Sequence, residues 1–150
     1  MLNPDFRDML SAFIDLEIDF LLVGAYVMAA HGYPRATGDI DLWVRSDDAT
    51  AHKVYRAIAE FGAPVDGLNV SELSQPGIVF QIGVAPVRID ILTSINGVSF
   101  EVASNRIAVS WDGLTIPVIG LRDFLCNKRS TGRTKDLADV EQLEQDIGER

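Results

Sequence analysis

The sequence predicts an α/β (α+β) domain over residues 1–150, a mixed β-sheet flanked by helices. Three observations predict it. Helices alternate with short apolar strands early in the chain, and strands cluster later. The 150 residues are 47% hydrophobic and 23% charged, enough apolar material for one sizeable core. The chain is too short and its pattern too irregular for a full doubly wound fold.

Residues 4–17 space Phe6, Met9, Leu10, Phe13, Ile14 and Leu16 as one helical face, with Pro4 in the first turn and Asn3 as cap. Residues 19–23 read as a buried strand, and Gly24 turns the chain into a short helix, AYVMAAHG, ended by Gly32-Tyr33-Pro34. Residues 39–44 alternate strictly and read as a strand. A helix follows through Phe61, capped by Ser46 or Asp47 and stopped by Gly62. Residues 78–83 and 86–92 are two strands across a short turn. Residues 98–103, 106–111 and 114–119 read as further strands, with Asp112-Gly113 as a tight turn. Residues 120–127 and 134–147 close the chain as helices, Thr134 capping the last.

With 13 Lys+Arg against 22 Asp+Glu the net charge is −9, which repels phosphate backbones and argues against extended DNA binding. A basic patch of Arg122, Lys128, Arg129, Arg133 and Lys135 stands against this background, fit for a small polyanion or for ordinary solvated surface. No apolar stretch approaches the roughly 20 residues of a membrane span. No basic region precedes an apolar run, so no secretory signal is expected. The one cysteine, Cys126, excludes an intrachain disulfide and suits a reducing cytoplasm.

The chemistry-bearing segment is Thr37-Gly38-Asp39-Ile40-Asp41-Leu42-Trp43-Val44. Alternation along a strand puts Asp39 and Asp41 on one face and Ile40, Leu42 and Val44 on the other. Two carboxylates this close repel unless a positive group sits between them. Hard divalent cations take oxygen ligands, and magnesium commonly takes one or two carboxylates plus substrate phosphates. A third acid, Asp90, sits centrally in the apolar strand Val87-Arg88-Ile89-Asp90-Ile91-Leu92. If the two strands pair, three acids converge into a site for two ions about 3.5–4 Å apart. The plainer alternatives are a capping or solvated Asp-x-Asp, and an ion pair of Asp90 with Arg88, which alternation puts on the same face.

Leu21-Leu22-Val23-Gly24-Ala25 is a strand entering a helix, where glycine and free backbone N–H groups allow close approach of a phosphate. Together these residues resemble the nucleotidyltransferase superfamily that includes DNA polymerase β. Its signature is an apolar strand, Gly followed by Gly or Ser, a spacer of about a dozen residues (here Tyr26 to Gly38), Asp-x-Asp or Asp-x-Glu on a strand, and a third acid on a later strand. The likeness is closest to small bacterial members of the abortive-infection and toxin–antitoxin type. It rests there on His31-Gly32-Tyr33-Pro34-Arg35-Ala36-Thr37 before Asp39, and on the tail Asn127 to Asp139. One position departs: Ala25 keeps the backbone N–H but lacks the hydroxyl that serine would bring to phosphate.

The resemblance implies a transfer of a nucleoside monophosphate from an NTP to an acceptor hydroxyl, with release of pyrophosphate. The acceptor would be a protein side chain, an RNA end or a small molecule. Asp39 and Asp41 would hold the Mg²⁺ (or Mn²⁺) that grips the triphosphate, and Asp41 and Asp90 a second ion. Asp90 would help deprotonate the hydroxyl. Gly24, Ala25, Thr37 and Lys128 are the expected nucleotide-binding residues, Lys128 for triphosphate oxygens and Thr37 as support for Asp39. Arg35 would contact phosphate or a site acid. Plainer roles are open to each: a strand start for Thr37, a basic helix end for Lys128, helix-start residues for Asp136 and Asp139, structure for His31, and packing rather than base stacking for Trp43. Two His and one Cys do not support a zinc site, and no nucleophilic triad is apparent. Ala25 and the small size motivate a second reading, a non-catalytic partner-binding module of antitoxin kind.

Overall fold

The computed structural model describes residues 2–32, 38–84, 86–103 and 106–148. In chain order, the elements are helix α1 (Pro4–Asp15), strand β1 (Phe20–Val23), α2 (Tyr26–Ala30), β2 (Ile40–Val44), α3 (Asp48–Phe61), α4 (Val70–Leu73), β3 (Val79–Val84), β4 (Val87–Leu92), β5 (Ile107–Trp111), β6 (Leu114–Val118), α5 (Leu121–Thr131) and α6 (Thr134–Gly148). The strands form a mixed sheet of order β3-β4-β2-β1-β6-β5. The expected mixed sheet flanked by helices is what forms.

Local chemistry sets the boundaries. The Asn3 side chain accepts from the Asp5 N–H at 2.8 Å, and Pro4 occupies the first turn of α1, where its missing N–H costs nothing. Of the two candidate caps for α3, Asp47 takes the role, accepting from Thr50 N–H at 2.7 Å. Gly62 ends α3 in the left-handed region. Helix α6 begins at Thr134 itself, so Thr134 lies inside the first turn rather than capping it.

Two stretches differ from the sequence reading. The sequence predicts a strand over residues 98–103. They instead hold a 3-10 turn at Phe100–Val102. Phe100 is buried edge-on against Trp43, with ring centroids 5.0 Å apart, and this packing outweighs strand pairing. The short α4, unassigned from sequence, buries Leu73.

The core is continuous across the sheet. All four residues of β1 are buried, as a central strand covered on both faces requires. Helix α1 contributes Phe6, Met9, Leu10 and Phe13, and α3 contributes Ala51, Val54, Ala57 and Ile58. Among the described residues no helix is long and apolar enough to cross a membrane.

Candidate active site

Strand pairing brings the acids together. β2 lies parallel to β4 with Asp41 level with Asp90, and antiparallel to β1 with Asp41 level with Val23. Residues level across adjacent strands point to the same face, so Asp41 and Asp90 face each other while Ile40, Leu42, Ile89 and Ile91 turn to the core. Asp39 lies one residue before β2 and joins them. The three acids open into a cleft of about 500 Å³, which Asn127 and Thr131 of α5 and Arg133 just beyond it also line.

Gly24 belongs to the same construction. Its φ is +74°, and a Cβ there would lie 2.0 Å from Asp41 Oδ2. Both the backbone conformation and the closeness of the Asp41 carboxylate therefore demand glycine. Ala25 caps α2 without a side-chain hydrogen bond, and α2 runs only from Tyr26 to Ala30.

Arg88 ties the acids together. Its Nη2 lies 2.8 Å from Asp39 Oδ2, and its Nε and Nη2 donate to Asp90 Oδ1 and Oδ2 at 2.9 and 3.2 Å. The pair of Arg88 with Asp90 that alternation anticipates is present, and Asp39 extends it. Among the described residues Asp41 has no such guanidinium contact. Burial, then the charge of Asp90 and a hydrogen bond with it, then the charge of Asp39 push its carboxyl up to about 7, and Arg88 only partly offsets this. Asp39 Oδ1 is buried with no hydrogen-bond partner among the described residues.

These features bear on a cation. Among the described residues no three His, Cys, Asp or Glu stand as a ready cage, and Arg88 engages two of the acids. The donor set nevertheless fits a hard divalent ion: oxygen only, with an orphaned buried carboxylate oxygen and one carboxyl destabilised in its charged form. An ion that takes one or two carboxylates and completes its shell with substrate oxygens needs no closed cage.

Lys128 is placed elsewhere. Its Nζ pairs with Asp136 Oδ1 at 2.9 Å and Asp139 Oδ2 at 3.0 Å, and lies over the Phe124 ring. It is not among the cleft residues, because two carboxylates of α6 hold it in the α5–α6 junction. Asp136 and Asp139, read as ordinary helix-start residues, are its anchors. Asp136 also accepts from Thr131 and Arg133. Of the basic patch, Arg129 pairs with Glu144, and Arg133 alone lines the cleft. Trp43 is buried against Phe100, as packing rather than stacking requires. The His31 ring meets the Ile119 carbonyl at 3.1 Å, a structural role. Thr37 and Arg35 lie outside the described residues.

The fold places this chain among proteins of the nucleotidyltransferase fold. It is similar to the crystal structure of a "putative nucleotidyltransferase" from Thermotoga maritima, with a TM-score of 0.60 and 16% identity over 100% of this chain and 97% of that one. A family model described as "Nucleotidyl transferase of unknown function (DUF2204)" matches residues 3–150, and the chain belongs to that family. Comparison with curated proteins finds no match.

Proposed function

We propose that the protein transfers a nucleoside monophosphate from an NTP to an acceptor hydroxyl and releases pyrophosphate, using Mg²⁺ or Mn²⁺. The observation that carries this reading is the convergence of Asp39, Asp41 and Asp90, from two adjacent parallel strands, on one cleft backed by Gly24. Family membership supports it. Asp39 and Asp41 would hold one ion and Asp41 with Asp90 a second; bound there, the ions would neutralise charge developing on the phosphate oxygens. Gly24 leaves room for the Asp41 carboxylate. Arg133, with Asn127 and Thr131, lines the same cleft and would meet the polyphosphate there. Asp90, once free of Arg88, would help accept the proton of the attacking hydroxyl. That acceptor would be a protein side chain, an RNA end or a small molecule, in a cytoplasmic setting of the abortive-infection or toxin–antitoxin kind.

A second reading is a partner-binding module that has kept the fold. The neutralisation of Asp39 and Asp90 by Arg88, inside the protein, favours it, as does the missing hydroxyl at Ala25. Calorimetry with a non-hydrolysable NTP, with and without Mg²⁺, separates the two. Transfer chemistry predicts Mg²⁺-dependent binding that the Asp39→Asn/Asp41→Asn double variant loses. An absence of binding in every condition sinks the transferase reading in favour of the module.

A further inference from the structure

Arg88 holds a position that the transfer chemistry leaves unexplained. A guanidinium at the mouth of a cation site lowers cation affinity by simple repulsion, and a chain selected only for tight metal binding would not put one there. Yet Arg88 lies on β4 two residues before Asp90, on the same strand face, and its fork reaches both that acid and Asp39. Its side chain is 31% exposed, so it stands at the border of the cleft with a path to solvent. The carboxylates that Arg88 touches are two of the three a cation would use, and the third, Asp41, lies level with Asp90 on the neighbouring strand. The buried Oδ1 of Asp39 has no partner among the described residues while Oδ2 is held by Arg88. Half of that carboxylate is satisfied and half is left for another positive group.

We propose that Arg88 is a built-in counter-ion, which holds Asp39 and Asp90 in the metal-free protein and must release them when a divalent cation binds. The inference rests on the cation site proposed above. Three clustered acids cannot all ionise in a partly buried cleft without a compensating charge, and Arg88 supplies it before the ion arrives. Cation and guanidinium then compete for the same oxygens. A bidentate guanidinium–carboxylate contact is among the stronger charged pairs, so the competition is not trivial. A released guanidinium at this border faces whatever anion follows the ion into the cleft, and polyphosphate oxygens are suited to its planar fork. Ion binding and polyphosphate binding are thereby coupled, each favouring the state in which Arg88 has left the acids.

The experiment is calorimetric titration of Mn²⁺ alone, without nucleotide, into the wild-type chain, Arg88→Met and Arg88→Lys at pH 8. Removing the competing charge is expected to tighten Mn²⁺ binding about tenfold in Arg88→Met, with Arg88→Lys returning toward the wild-type value. A second measurement needs no variant: the Arg88 Nε–H resonance, hydrogen-bonded to Asp90 in the free protein, is expected to lose protection from solvent exchange at saturating Mg²⁺. Equal Mn²⁺ affinity in wild type and Arg88→Met, or an Nε–H unchanged at Mg²⁺ saturation, overturns the counter-ion while leaving the cation site standing. No Mn²⁺ binding to any of the three chains overturns the cation site, and the counter-ion with it.

Discussion

At the residue scale, Gly24 shows how one missing methyl group shapes a site. A Cβ there would sit 2.0 Å from Asp41 Oδ2 and 2.9 Å from its Cγ, and φ is +74°. Asp41 cannot retreat freely, because it lies level with Asp90 on the neighbouring strand. Gly24→Ala is therefore expected to displace the Asp41 carboxylate and weaken Mg²⁺-dependent NTP binding more than tenfold, while the left-handed backbone adds about 1 kcal/mol of destabilisation. Gly62→Ala is the matched control: φ is +95°, but nothing lies within 4 Å of the added methyl. It should show the same backbone cost in chemical denaturation and an unchanged affinity. Equal losses of affinity in both variants would make Gly24 a matter of stability alone. The glycine was visible in the sequence as a turn signal. Its reason was not, because the reason is a carboxylate seventeen positions away that only strand pairing brings alongside.

At the scale of elements, Lys128 offers the clearest contrast between sequence and structure. In the sequence it is a cation near a helix end, and a phosphate ligand is a natural reading. In the fold it bridges α5 to α6 through Asp136 and Asp139, with only 12% of its side chain exposed. Truncating one member of a buried pair strands its partners, at a cost of roughly 3 kcal/mol. Lys128→Met should accordingly lower the unfolding free energy by that much, read from denaturant melts, with NTP affinity changed less than twofold in the folded protein. Arg133→Met should do the reverse: its side chain is 74% exposed, and it lines the cleft. A calorimetric affinity that collapsed in Lys128→Met would restore the ammonium to the nucleotide. What the sequence made legible follows the same division. Alternation put Asp39 with Asp41 and Arg88 with Asp90, because a strand's faces are a local property. The register Asp41 to Asp90 was a conditional guess, since pairing between strands some fifty residues apart leaves no local trace. Asn127 and Thr131 went unassigned as cleft residues for the same reason. Phe100 shows the converse failure, its period-two neighbourhood suggesting a strand that packing against Trp43 replaced with a turn.

At the scale of the whole molecule, two carboxylates with opposite shifts shape the pH profile of stability. Hydrogen bonds from Thr131 and Lys128, with the charge of Lys128, outweigh burial and hold Asp136 down at about 2. Between that value and its unfolded value of 3.8 the unfolded chain binds the extra proton, so this contribution is complete above about pH 4 and is lost as pH falls toward 2. Asp41 runs the other way. Its folded value of about 7 exceeds 3.8, the native state holds the extra proton, and stability falls as pH rises from about 4 to about 7. The two limbs predict a maximum for the metal-free protein near pH 4, followed by a decline toward neutrality that the net charge of −9 deepens through self-repulsion. Asp41→Asn cannot ionise and should flatten the neutral limb, leaving the variant more stable than wild type at pH 8 although it is defective in binding. Such a gain on removing a functional group is the ordinary signature of a site maintained against stability. A divalent cation should act on the same limb. It favours the ionised acids, so the rise in melting temperature from saturating Mg²⁺ should be large at pH 8 and vanish near pH 5, where Asp41 holds its proton. Melting curves of wild type and Asp41→Asn from pH 3 to 9, with and without Mg²⁺, measure all of this. A wild-type profile that stays flat from pH 5 to 8 would mean that Asp41 ionises in the metal-free protein without the penalty that burial and the neighbouring acids impose, and would overturn its raised carboxyl.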